Sequence, residues 1–363
     1  MLGACKEPFK PDVIAQYKNL LIVEGFINIG GETLVSLSRT VDLQEGRSFI
    51  PERDAQVIVE GEKGTKLSGT SDRNGKCRLS TQNLNLSERY KLKIVTDGKI
   101  YETTFLENKK SPEIDSLNFR VEGTGFKIYA NTHDSSNQTR YYNWDFTETW
   151  EIRSPFSSTS EDKNGKILPR DPSVNIQYCW GESRSSSILL ASTQLLSENK
   201  LTMVPVNFVR GNSVKVAYLY SILVRQYGLS KAAYQYLENM KKNTEQIGTI
   251  FDPQPSELKG NIVCISDPKE QVIGYISAGT VTQKRLFISY KAKPQNGALS
   301  DWSFFQQCVP FITSQDSVFY YLNRRNLIIS EERNDLIRYV MAKDECIDCR
   351  LRGSNVRPSY WPY

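Results

Sequence analysis

Ala55-Gln56-Val57-Ile58-Val59-Glu60-Gly61 alternates apolar and polar side chains with a period of two, and Ser71-Asp72-Arg73-Asn74-Gly75-Lys76-Cys77-Arg78-Leu79 follows it with Asn-Gly at its centre. A period of two sends successive side chains to opposite faces of a strand. Asn-Gly supplies the positive backbone angles of a tight hairpin turn. Outward from this pair, Leu20 to Ile27, Tyr90 to Val95 and Ile100 to Phe105 read as further short strands. Strands of this length and spacing predict a β-sandwich over residues 18–112, preceded by a linker at 1–17.

Glu107 to Pro112 is polar and ends in proline, which places a domain boundary there. Beyond it, Tyr142-Asn143-Trp144-Asp145-Phe146-Thr147-Glu148-Thr149-Trp150-Glu151-Ile152 alternates again, directing Tyr142, Trp144, Phe146, Trp150 and Ile152 to one face and polar residues to the other. Val214 to Tyr227 reads as a second long strand closed by Gly228. The period then changes: Ser230 can cap a helix near 230–245, with Ala233, Leu237 and Met240 on one stripe. Gly260 to Ser266 and Val272 to Tyr290 return to strand, while Trp302 to Leu327 has a mixed period that assigns no element. The expected fold is mainly β, a sandwich at 18–112 followed by a larger β-rich domain at 113–345 with an inserted α-helix. A cysteine-containing tail occupies 346–363.

Composition removes several classes of function. The 363 residues favour two or more domains, each able to bury a core. The net charge of +5 is spread along the chain, so the clustered basic face of a nucleic-acid binder is missing. No apolar run approaches the roughly 18 residues that span a bilayer as a helix. His133 is the sole histidine, and a triad or a histidine-rich metal centre would have to use it. It lies in a polar stretch, Ala130 to Asn137, that reads as an exposed loop between strands. Ser185-Ser186-Ser187 lacks a nucleophile elbow, and no phosphate-cradling glycine loop occurs.

The start, Leu2-Gly3-Ala4-Cys5, looks like the end of a bacterial lipoprotein signal, in which the cysteine thiol takes a diacylglyceryl group. Four residues are far fewer than the 15 to 30 or so of a whole signal, whose charged and apolar parts would lie upstream. Cys5 is the expected lipid attachment point, and the lipid the only expected covalent group; no cofactor or metal is expected. The Thr70-to-Cys77 step resembles the turn of transthyretin-like, carboxypeptidase-regulatory sandwich domains, a kind of immunoglobulin-like fold.

Cys179-Trp180-Gly181-Glu182, Ser186 to Thr193, Tyr220 to Tyr227, Phe251-Asp252-Pro253-Gln254-Pro255, Lys259 to Cys264, Gly274-Tyr275-Ile276-Ser277 and Cys346 to Gly353 occur in this order. The set resembles a family of Bacteroidota envelope lipoproteins known as domain of unknown function 4249, with a likeness running from Cys5 to Trp361. The resemblance implies an outer-membrane lipoprotein, facing the cell exterior, encoded beside a TonB-dependent transporter. It implies docking on that barrel, and no enzymatic activity. Lys6-Glu7 also resembles the start of an acidic-flanked surface-export signal, of which one acidic residue is present. Asp115-Ser116-Leu117 and Asp316-Ser317-Val318 resemble the phylum's short O-glycosylation acceptor.

Cys346 and Cys349 form the one close cysteine pair, short of the two pairs usual in a closed zinc site and outside the βαβ setting of a redox motif. In an oxidising envelope disulfides are the expected state. The expectation is a tail stapled to the body through Cys346 or Cys349 and one of Cys179 or Cys308. Asp145 and Glu148 are the most tempting carboxylate pair, but glycoside hydrolysis needs two carboxylates about 5 to 10 Å apart across one bond. Three residues apart on a strand, they point to opposite faces. Glu148 on a largely apolar face needs a partner, with Arg140 and Arg153 as candidates. The favoured function is therefore non-catalytic docking; the alternatives are a carboxylate-dependent surface glycan hydrolase and a structural subunit of an envelope assembly machine.

Overall fold

The computed structural model describes residues 19–41, 49–245, 258–294, 302, 304, 306–333 and 336–362. Strands dominate, and two α-helices, Lys231–Glu245 and Val318–Leu322, are present among the described residues. The mainly β class expected from the pattern is the observed one. The chain forms two compact units, and neither is continuous in sequence: Met1–Ser111, Ser136–Tyr142 and Tyr227–Val281 make the first, and Pro112–Ser135, Asn143–Gln226 and Thr282–Tyr363 the second.

The first unit is a sandwich of two sheets. One has the order Ile50–Pro51, Glu32–Arg39, Leu21–Asn28, Ser277–Gly279, Asn108–Lys109, with Val272–Ile273 and Lys76–Ser80 attached. The other runs Ile262–Cys264, Lys99–Thr103, Tyr90–Thr96, Gln56–Gly61, Lys66–Thr70. Leu21, Val23, Val35 and Leu37 from the first layer share one core with Val57, Val59, Leu92, Ile94 and Tyr101 from the second. The Asn-Gly step departs from the expected hairpin. Asp72 Oδ1 accepts the N–H groups of Asn74 (2.8 Å) and Lys76 (2.9 Å), and Gly75 turns the chain at φ +72°. Only Gly75 takes a positive φ there, and a Cβ on it would meet the Leu37 carbonyl at 2.1 Å. The strand before the turn pairs with Gln56–Gly61 and the strand after it with Glu32–Arg39, so the turn is a corner between layers.

The boundary expected at 112 coincides with the junction at Ser111/Pro112, but a single domain over 113–345 does not exist. Leu21–Asn28 hydrogen-bonds in parallel to Val272–Ile273 and Ser277–Gly279, and Lys99–Thr103 pairs with Ile262–Cys264. Parallel neighbours require a long crossover, so the sandwich is completed by strands that arrive much later in the chain. The predicted helix forms as Lys231–Glu245, with Ser230 Oγ accepting the Ala233 N–H at 3.2 Å, and belongs to the first unit. Ala233 and Tyr236 are its buried residues, while Leu237 and Met240 are half-buried.

The second unit holds a three-stranded sheet, Ile114–Glu122, Gly125–His133, Lys200–Arg210, and the greater part of a larger sheet with the order Tyr178–Arg184, Tyr141–Arg153, Leu219–Leu229, Val281–Ser289. Trp144 Nε1 donates to Gln226 Oε1 (2.9 Å), and Gln226 Nε2 donates to Thr132 Oγ1 (3.1 Å), tying the interiors of the two sheets together. Two sequence expectations need correction here. Residues Val214–Val216 are a 3-10 turn capped by Ser213, and the strand begins at Leu219. The polar face of Tyr141–Arg153 is not solvated throughout: Thr149 and Glu151 are buried, Thr149 with the Tyr360 hydroxyl 2.9 Å from its Oγ1 and Glu151 opposite Trp180 in the ladder. The Trp302-to-Leu327 stretch contains a strand at Phe311–Ser314, which pairs with Ile337–Lys343, and the short helix Val318–Leu322.

Candidate functional site

Strand alternation delivers Glu148 to the same buried face as Trp144 and Phe146, where it is 5% exposed. An ionised carboxylate survives there only if its oxygens are satisfied. Oε1 accepts from Tyr220 hydroxyl (2.9 Å) and Asn207 Nδ2 (3.0 Å), and Oε2 from Ser183 Oγ (2.7 Å) and the Lys215 ammonium. The four donors come from four segments: strand Tyr178–Arg184, strand Lys200–Arg210, the 3-10 turn Val214–Val216 and strand Leu219–Leu229. Lys215 also donates to Ser183 Oγ (3.2 Å) and lies over the Trp150 ring, 5.1 Å from its centroid. Burial alone pushes the Glu148 carboxyl upward; the hydrogen bonds of Lys215 and Ser183, the Lys215 charge and the Tyr220 hydroxyl outweigh it and hold the group below its ordinary value. Burial, reinforced by the Glu148 charge, raises the Tyr220 phenol well above its own. Ionised and with its lone pairs occupied, Glu148 has no proton to give as a general acid and no vacant oxygen to serve as a base.

His133 is the last residue of strand Gly125–His133, not part of a loop. Its Nδ1 lies 2.8 Å from each Asp115 carboxylate oxygen, and both side chains are solvent-accessible. Ser116, next to Asp115, uses its hydroxyl to accept from Asn131 Nδ2 (2.9 Å) and Asn118 Nδ2 (3.2 Å). No group of three or more potential metal ligands occurs among the described residues.

The tail carries the remaining chemistry. Cys349 is bonded to Cys179 and Cys346 to Cys308, so both members of the C-x-x-C pair are used and each reaches a different part of the second unit. Cys77 and Cys264 are free thiols buried in the sandwich core. Burial, with the Asp72 charge, raises the Cys77 thiol. Beyond Cys349 the chain crosses the larger sheet, where Trp180 and Ser354 exchange backbone hydrogen bonds of 2.8 and 2.9 Å. Arg285 stacks on Tyr360 with its guanidinium 3.5 Å from the ring centroid.

The profile of Domain of unknown function (DUF4249) matches residues 6–285. The chain belongs to this family. The match leaves the disulfide-held tail of this DUF4249 member outside it and is shorter than the likeness traced from Cys5 to Trp361. No curated protein matches the chain. Among solved structures, the crystal structure of calcium binding domain CBD12 of CALX1.1 is 10% identical, covering 72% of this chain and 98% of that chain at a TM-score of 0.17. Overlap at that score carries no argument about fold or ligand.

Within this DUF4249 chain, the residues singled out in the sequence fall as follows. Asp145 points away from Glu148 and pairs with Arg225 Nε at 2.5 Å. Arg153 pairs with Glu151, Arg140 belongs to the first unit, and the ionic partner of Glu148 is Lys215. Cys179, Cys308, Cys346 and Cys349 are all disulfide-bonded. Cys5 lies outside the described residues, as do Phe251 to Pro255 of the family-like set. Sequence reading missed Ser183, Asn207, Lys215 and Tyr220. The one available signal was Lys215, a lysine inside an otherwise apolar run and two residues after a capping serine, Ser213. No helix among the described residues is long and apolar enough to cross a membrane.

Proposed function

We propose that this protein is a non-catalytic outer-membrane lipoprotein, anchored through Cys5, that docks on a TonB-dependent transporter or a related β-barrel and assists ligand capture or import. The observation that carries the non-catalytic part is the state of Glu148. It is a buried acid on the aromatic face of Tyr141–Arg153, and four donors from four segments already consume its oxygens. Membership in DUF4249, whose resemblance implied a transporter partner, supports the docking part. Lipid anchoring contributes about 0.8 kcal/mol per buried methylene, enough to hold a folded domain to a bilayer when more than one chain inserts.

The test is purification from native membranes through a tag placed after Tyr363, with mass spectrometry of the N-terminal peptide and of co-purifying proteins. The expected result is a diacylated Cys5 and a stoichiometric large β-barrel. Recovery of the lipidated chain alone overturns docking, and an unmodified Cys5 overturns the anchor.

A further inference from the structure

The C-terminal segment is attached to the larger sheet of the second unit in an uneven way. Its root is fixed: Cys349 is bonded to buried Cys179, and its N–H donates to the Ile176 carbonyl at 2.7 Å. Past the root, a single β-bridge, Trp180 with Ser354, replaces a ladder. Gly353 lets the chain pass this close, since a Cβ there would meet the Trp180 carbonyl at 2.5 Å. At the far end is a hook closed on itself, in which the Trp361 N–H donates to the Pro358 carbonyl (3.0 Å) and Arg357 Nη2 to the Trp361 carbonyl (3.1 Å). The hook meets the sheet through Tyr360, on Thr149 and Arg285, and through Trp361, whose ring lies edge-on to Trp180 (6.3 Å) and Phe287 (5.6 Å).

This seat is imperfect in one specific respect. Trp180 Nε1, Trp361 Nε1 and Arg352 Nε are buried with no acceptor among the described residues. A buried donor left unmade costs more than a made bond gains, so the two indole donors offset part of the aromatic contact between Trp361 and Trp180. Between bridge and hook, Asn355 Nδ2 donates to the Asn175 carbonyl (2.8 Å), a bond that lifting also breaks, while Val356 is 73% exposed and contributes little to the seat.

We propose that residues 353–362 form a strap that lifts from the sheet as one piece about its disulfide-pinned root, uncovering a face that carries Thr149, Trp180, Arg285 and Phe287. Lifting carries the Trp361 donor to water, parts the Trp361 ring from Trp180, and leaves the hook's own two hydrogen bonds intact. The strap is independent of the docking reading above.

Hydrogen exchange on the oxidised full-length chain, resolved to single amides by fragmentation, tests this. Trp180 and Ser354 donate to each other across the bridge, so lifting exchanges both at one shared rate once each is divided by its intrinsic chemical rate, and on that scale at least about tenfold faster than the Ile222 amide in the sheet beneath. Thr149→Val, which removes the hydroxyl that anchors Tyr360, is expected to raise that shared rate about threefold without moving the thermal midpoint. Exchange as slow as at Ile222 overturns the proposal, because the strap then opens only with the whole unit. Unequal rates at Trp180 and Ser354 overturn it in favour of fraying from the end. A shared fast rate that Thr149→Val leaves unchanged overturns it too, since the hook would not be what holds the strap.

Discussion

Glu148 shows what one buried charge does when its donors come from four segments. Replacing it with Gln keeps the size but removes the charge facing Lys215, and two of the four donors then face an amide NH2 in place of an accepting oxygen. Lys215 retains 28% side-chain exposure and can turn partly to water, so the expected loss is moderate, about 2 to 4 kcal/mol for the second unit. Urea unfolding followed by tryptophan fluorescence measures it, and Lys215→Met in the same chain should recover part of the loss. An unchanged midpoint in Glu148→Gln would mean that the network does not hold the unit together. The pH dependence follows from the direction of the carboxyl shift. The folded value lies below that of an unfolded chain, about 4.3, so the unfolded state binds the proton more tightly. Glu148 therefore contributes its full stabilisation above about pH 5 and loses it as pH falls through the folded value. The stability gap between wild type and Glu148→Gln is expected to narrow steadily between pH 5 and 3 or so, and a gap independent of pH over that range would contradict the assignment.

The two disulfides differ in setting more than in chemistry. Cys179 and Cys349 are both 0% exposed, whereas Cys308 is half-buried beside Val309, which is 81% exposed. Thiol–disulfide exchange needs access for the attacking thiolate, so a mild reductant should open Cys308–Cys346 first and leave Cys179–Cys349 closed. Stepwise alkylation with peptide mapping reads the order, and equal rates would show that the seat around Cys349 opens freely. Chain entropy favours the same hierarchy: closing a separation of 170 residues is worth about 5 kcal/mol against about 4 for one of 38. The involvement of these four cysteines was legible as a set, because a polar C-x-x-C tail with no second close pair to share a metal calls for partners elsewhere in the chain; which sulfur meets which was not. The Tyr142-to-Ile152 alternation was legible for the same kind of reason, since one buried face imposes a period of two. It failed at Thr149 because its cover includes Tyr360, 211 residues further along, which no local period encodes. The partners of Glu148 were hidden likewise: a serine, an asparagine, a lysine and a tyrosine on four segments carry no spacing that marks them as a site.

At the scale of the molecule, local pattern identified part of the strands and the longer helix, missing Glu32–Arg39, Ile114–Glu122 and Lys200–Arg210, and did not reveal the unit each belongs to. The corner at Gly75 reads as a hairpin in sequence because the turn chemistry is the same; only pairing to Glu32–Arg39 reveals the change of layer. The sandwich likewise reads as ending at 112, yet Ile262, Cys264, Ile276 and Ala278 are part of its core. A fragment of residues 18–112 therefore lacks the parallel neighbours of Leu21–Asn28 and the edge partner of Lys99–Thr103. It exposes two hydrogen-bonding strand edges and the apolar side chains that those late strands cover, which is the condition for edge-to-edge association. Expressed alone, 18–112 is expected to sediment as soluble aggregate and to melt without a cooperative transition. Residues 227–281 joined through a flexible linker should restore both a monomer and a sharp unfolding curve, because they return the missing strands and the helix Lys231–Glu245. Circular dichroism with analytical sedimentation decides it. A cooperative monomer from 18–112 would make the sandwich autonomous and reduce the late strands to a surface addition, whereas failure of the linked pair would mean that the Ser136–Tyr142 segment is also required to close the unit.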